Sequence, residues 1–140
     1  MKTRITFLIS FLISAGLLTA QTTISGGDVY GTWTAVHSPY LIEGDINVPA
    51  DSLLEIEPGV DVAFQGAYIF NVFGLLNCPG TETDSIHFYS ATTPGYRGIA
   101  IETDTMVMDS MFFTYCRFEG ARCSGAWPYN CGGGVSVWEY

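Results

Sequence analysis

Gly44-Asp45-Ile46-Asn47-Val48-Pro49 is matched thirty residues on by Gly74-Leu75-Leu76-Asn77-Cys78-Pro79. Each element is followed by a short polar turn and an alternating run. The first run is Leu54-Glu55-Ile56-Glu57, the second Ile86-His87-Phe88. Self-similarity at a period of twenty to forty residues is the mark of a stacked architecture, in which no single unit buries its own apolar face. Alternation of apolar and polar residues is the period of a strand, with one face inward. Together they predict a coil of short strands, each hydrogen-bonded to its counterpart one turn on. The competing architecture is a β-sandwich, whose short strands also recur every ~8–12 residues; the repeated Gly-x-[Ile/Leu]-Asn-x-Pro element decides for the coil.

Outward from that stretch the pattern persists. Val60-Asp61-Val62-Ala63-Phe64 alternates after a Pro58-Gly59 turn, and Tyr68 to Asn77 is an apolar run interrupted by Gly74. Ser85 to Tyr89, Gly98 to Glu102, Phe112 to Phe118 and Gly134 to Trp138 complete the series. No stretch after the N-terminal segment has a 3.6-residue period, so the expected class is all-β. Gln21 to Tyr30 is polar and Gly-containing and reads as a flexible lead-in, with coils from Gly31 onward.

The N-terminus reads separately. Lys2 and Arg4 precede an apolar stretch from Ile5 to Ala20. A basic start, a short apolar core and a small residue at the end are the layout of a secretory signal peptide, here with cleavage expected between Ala20 and Gln21. The run falls short of the ~20 residues that span a bilayer, and no other segment approaches that length, so no membrane span is expected after cleavage. The expected location is the cell exterior or outer surface. Removing residues 1–20 leaves Arg97, Arg117 and Arg122 against fourteen acidic residues, a net charge of −11 against −9 for the whole chain. Nucleic acid, which requires a basic surface, is excluded as a partner. With 48% apolar and 14% aromatic residues the chain is also too hydrophobic to be disordered.

Four cysteines, Cys78, Cys116, Cys123 and Cys131, remain after cleavage. An even number in an exported chain permits disulfides, with three full pairings. Cys123 and Cys131 flank a Gly/Pro/Asn loop and form the best local pair. Cys116, inside a strand-like run, also reads as a small buried apolar side chain. Zinc is disfavoured, because the spacings lack any Cys-x-x-Cys and no His lies near.

Glu102 and Asp104, with Asp109 close by, are the densest acidic cluster. Carboxylates two apart in extended chain share a face, so these three are the candidate calcium ligands; no other cofactor is expected. An exposed acidic turn is the plainer reading of the same residues. Trp127 and Tyr129 lie in the Cys123–Cys131 loop, and Tyr96 beside a turn. Aromatic rings in loops on a rigid scaffold suit the apolar faces of sugars. Arg117 and Arg122 bracket the start of that loop and make it the basic spot on an acidic molecule. These five residues are the candidate ligand-binding set. Glu55 and Glu57 alternate with core residues and read as a solvated face. His87 faces outward between Ile86 and Phe88, and neither it nor His37 has an evident nucleophile beside it. No residue is assigned as catalytic.

The segments Ile42 to Pro49, Leu54 to Phe64 and Gly74-Leu75-Leu76 resemble the opening coils of secreted right-handed parallel β-helix proteins, the pectate-lyase-like proteins of Bacteroidetes-type bacteria. Phe113 to Gly120 and Gly132 to Val137 are similar to their later coils. The resemblance covers about Gly31 to Tyr140. It implies a right-handed parallel β-helix and a polysaccharide or cell-surface component as partner. Enzymes of this kind are lyases that use carboxylate-held calcium and an Arg base, or hydrolases that use paired carboxylates. No run here matches either set. Members often carry a C-terminal sorting domain, and none is seen here. The sequence stops within a strand-like run, Val135 to Tyr140, with no polar cap, so it is expected to be the N-terminal part of a longer protein. Two functions follow as expectations. One is a glycan-binding, scaffold or adhesive protein. The alternative is the first part of a polysaccharide lyase or glycoside hydrolase whose site lies beyond residue 140.

Overall fold

The computed structural model describes residues 20–102, 111–122 and 134–138. Among the described residues, fourteen strands wind as a right-handed parallel β-helix. The first coil holds β1 (Thr22–Ile24), β2 (Gly27–Asp28) and β3 (Gly31–Trp33). The second holds β4 (Tyr40–Ile42), β5 (Ile46–Val48) and β6 (Leu53–Ile56). The third holds β7 (Asp61–Phe64), β8 (Phe70–Val72) and β9 (Leu75–Pro79), and the fourth β10 (Ile86–Ser90), β11 (Ile99–Glu102) and β12 (Phe112–Thr114). β13 (Cys116–Glu119) and β14 (Val135–Trp138) belong to the fifth. Every third strand stacks, giving sheet A (β1-β4-β7-β10-β13), sheet B (β2-β5-β8-β11-β14) and sheet C (β3-β6-β9-β12). All strand pairs are parallel. Among the described residues the only helical element is a 3₁₀ turn at Ala35–His37.

Alternation builds the core. Tyr40, Val62, Phe88 and Phe118 occupy one inward column of sheet A. Ile46, Phe70, Ile99 and Val135 form a column of sheet B, with Val48, Val72, Ile101 and Val137 beside it. Leu54 and Leu76 stack in sheet C, as do Trp33 and Ile56. These residues are buried through the fourth coil, whereas Val137 on the fifth is exposed. Stacked rings reinforce the columns: Trp33 on Tyr40 at 4.5 Å, and Phe88 on Phe118 at 5.1 Å. Each fully buried Val, Leu, Ile or Phe adds roughly 1.5–3 kcal/mol relative to exposure, so stability grows coil by coil.

Three expectations are corrected. Residues 21–30 are not a lead-in. They carry β1 and β2, which pair with β4 and β5 and form the first coil. Among the described residues these strands have a neighbour on one side only, and most of their residues are exposed. The thirty-residue repeat is also out of phase. Gly44 to Pro49 runs into β5 of sheet B, whereas Gly74 to Pro79 runs into β9 of sheet C. The true partner of Asn47 is Asn71, whose Nδ2 donates to Asn47 Oδ1 at 2.9 Å. Similarly, Leu54-Glu55-Ile56 lies in sheet C and Ile86-His87-Phe88 in sheet A. Successive partners in sheet A are Thr22, Tyr40, Val62, Phe88 and Phe118, at offsets of 18, 22, 26 and 30. The coils therefore lengthen along the chain, mainly at their corners.

Tyr96, expected at a turn with its ring available to a ligand, is instead completely buried. Its segment is itself a rung of a stacked corner. Arg97 N–H donates to Tyr68 O on one side, and Arg122 N–H to Tyr96 O on the other. The ring stacks on Phe64 at 4.2 Å and 6°. Among the described residues its hydroxyl has no hydrogen-bond partner, and burial raises the phenol pKa. An unpaired buried hydroxyl costs about 1–3 kcal/mol. Tyr96→Phe should therefore raise stability by about 1 kcal/mol in urea unfolding; a loss of that size would mean that the hydroxyl is satisfied.

Candidate functional site

The polar face of sheet A is the best-organised surface among the described residues. Val62, Phe88 and Phe118 point inward, so alternation turns Asp61, His87 and Arg117 outward in one column. Ala63, Tyr89 and Glu119 form the next column. Rungs of a parallel sheet lie ~4.8 Å apart, which brings side chains of successive coils into contact. His87 Nε2 lies 2.8 Å from Glu119 Oε2, and His87 Nδ1 lies 3.8 Å from Asp61 Oδ1. Arg117 Nη2 donates to the other Glu119 oxygen, Oε1. The Tyr89 ring stacks on His87 at 4.8 Å and 27°. Among the ionisable side chains that pair here, the imidazole is the most covered, with 22% exposed against 50% for Asp61, 46% for Glu119 and 64% for Arg117.

Electrostatics fix the protonation of two members. The His87 hydrogen bond, and then Arg117, hold the Glu119 carboxyl below its ordinary range. Partial burial, and then the Asp61 charge, push the Tyr89 phenol up. Glu119 is thus an anion, and Tyr89 a neutral hydrogen-bond donor, at neutral pH. A group with a depressed folded pKa contributes stability above its unfolded value and loses it as pH falls through the folded one. In side-chain NMR titration, Glu119 should titrate below an ordinary glutamate and move upward in His87→Ala. An unchanged midpoint would remove His87 as the cause.

No protein-family model, curated protein or solved structure matches this chain. The site therefore rests on its own geometry.

Of the sequence-predicted residues that are described, only Arg117 lies in this strip. Arg122 is exposed at the neighbouring corner, where its backbone caps Tyr96 and its side chain packs over Gly95. Glu102 ends β11, half-buried. Asp104, Asp109, Trp127, Tyr129, Cys123 and Cys131 lie outside the described residues, so the loop and the acidic cluster stay as sequence expectations. Among the described residues no group of three His, Cys, Asp or Glu side chains could hold a metal ion. No helix there is long and apolar enough to cross a membrane. His37 sits in the 3₁₀ turn, bonded through Nδ1 to Thr34 Oγ1 at 2.7 Å.

Sequence reading missed Asp61, Tyr89 and Glu119, and took His87 only as outward-facing. The signal was present in the alternating runs of β7, β10 and β13. Reading it required the register, and offsets of 26 and 30 between those strands show no single period.

Proposed function

We propose that the protein is an exported β-helix protein of the pectate-lyase-like kind, acting at the cell surface or outside it, and that the outer face of sheet A binds a polysaccharide. The observation that carries this reading is the His87–Glu119–Arg117 strip with the Tyr89 ring beside it. Sugars are recognised by a ring for their apolar face and by charged or polar groups held in fixed positions for their hydroxyls. Here the sheet supplies rigidity, and mutual hydrogen bonds orient the side chains before a ligand arrives, which lowers the ordering cost of binding. The acidic balance of the chain favours neutral glycans, or acidic ones bridged by a cation.

The alternative, a lyase or hydrolase, gains little from this strip. A general acid must carry a proton at working pH, and Glu119 is held as an anion with both oxygens engaged. A glycan array combined with a uronate-release assay, each with and without Ca²⁺, tests the choice. Binding without release is the expected result. Release of unsaturated product would replace binding by lyase action, and an array without any signal would overturn the glycan reading.

A further inference from the structure

The sequence leaves three ways to pair four cysteines. The fold places two of the four, Cys78 and Cys116. Cys78 is on β9, fully buried, in the sheet C column with Phe113 above it. Cys116 opens β13 and stacks on Ile86 at the start of sheet A. The two residues thus lie at the corner between sheets C and A on successive rungs, because the turn from β12 into β13 stacks on the turn from β9 into β10. Cys116 Sγ donates to Cys78 O at 3.6 Å, so the Cys116 sulfur lies against the Cys78 residue. Both are reduced in the structure.

We propose that Cys78 and Cys116 form a disulfide that ties successive coils together when the folded protein meets an oxidising environment. Cys78 has no exposed surface, so a side chain inside the stack must reach it, and Cys116 is in place. Taking these two as a pair leaves Cys123 and Cys131 for each other, so one arrangement satisfies all four.

The chemistry runs in a fixed order. Cys116 is half-buried and its thiol is held low, chiefly by the Cys78 thiol beside it; the Cys116 thiol and burial push the Cys78 thiol up. The Cys116 thiolate attacks one sulfur of an external disulfide, such as oxidised glutathione, and expels the other as a thiolate. Cys78 then gives up its proton and attacks the Cys116 sulfur of the mixed disulfide. A Cys78–Cys116 bond forms and the second external thiolate leaves. Two protein thiols are oxidised, one external disulfide is reduced, and the two protons pass to the departing thiolates. The bond closes a loop between residues 38 apart, which restricts the unfolded chain.

The test uses the chain with Cys123→Ser and Cys131→Ser, folded and then incubated in a glutathione redox buffer. Alkylation under denaturing conditions and peptide mass mapping read the outcome. The expected results are no alkylated thiol, a Cys78–Cys116 cross-linked peptide, and a Tm higher than that of the reduced form by on the order of 10 °C. Two alkylated thiols, or a persistent glutathione adduct on Cys116, would overturn the proposal. If that variant fails to fold, the wild-type chain is mapped in the same way. A Cys78–Cys116 peptide supports the proposal, and linkage of either residue to Cys123 or Cys131 contradicts it. Neither readout depends on glycan binding, so this proposal stands or fails apart from the function proposed above.

Discussion

Gly74→Ala should destabilise the protein by about 3 kcal/mol or more, a large share of the ~5–15 kcal/mol that holds a domain folded. A Cβ at Gly74 would sit 2.1 Å from Pro49 O and 2.3 Å from Ser52 O. Both are backbone atoms of the coil below, where no side chain can swing aside. Separating the coils to admit the methyl would break Gly74 N–H to Val48 O and Leu75 N–H to Ser52 O, which bind the corner to that coil. Gly44→Ala meets the same obstacle, with Ser25 O at 2.4 Å. Gly27→Ala is the control. Its φ of +93° strains any L side chain, but nothing lies within 4 Å, so about 1 kcal/mol is expected. Urea midpoints at constant m decide it. Equal losses at Gly74 and Gly27 would mean that steric contact between coils is not what limits the corner.

Phe64→Ala should cost about 3–5 kcal/mol. The ring is fully buried between Ile42 and Ser90 in its column, and it is the stacking partner of Tyr96. Truncation leaves a cavity in the third coil with further coils on either side, and a rigid ladder cannot close around it. It also leaves one face of Tyr96 without its neighbour. A double-mutant cycle with Tyr96→Ala should return a coupling of about 0.5–1.5 kcal/mol, the range for an aromatic pair beyond simple burial. Additive losses would mean that the two rings are neighbours without mutual stabilisation.

The class of fold was legible in the sequence because alternation is local. A run such as Val60 to Phe64 states which residues face inward whatever lies elsewhere in the chain. Register was not legible, because it depends on corner lengths, and these vary from coil to coil. That is how a recurring Gly-x-[Ile/Leu]-Asn-x-Pro element pointed to the right architecture through the wrong equivalence. Gly44 and Gly74 occupy corners of different kinds, one entering sheet B and one entering sheet C. They share a physical requirement instead: each lies where its backbone rests on a carbonyl of the coil below. The motif records a close approach, not a period.

The site failed to appear in the sequence for the same reason. Asp61, His87 and Glu119 are scattered over three runs, and only stacking brings them together. Tyr96 misled in the opposite direction. Neighbouring Gly95 and Pro94 mark a surface turn, yet this turn is stacked between two others and sends its ring inward.

The central claim is that the outer face of sheet A is a glycan-binding surface, and Tyr89→Ala tests it most directly. Tyr89 is half-buried and points away from the core, so its loss should shift Tm little. Wild type and variant are compared on the same array of neutral oligosaccharides, with affinities measured by calorimetry for any that bind. Loss of one ring–sugar contact is expected to weaken binding by about tenfold, roughly 1.4 kcal/mol. Unchanged affinity in a variant with wild-type Tm would contradict the account and move the binding surface elsewhere on the molecule.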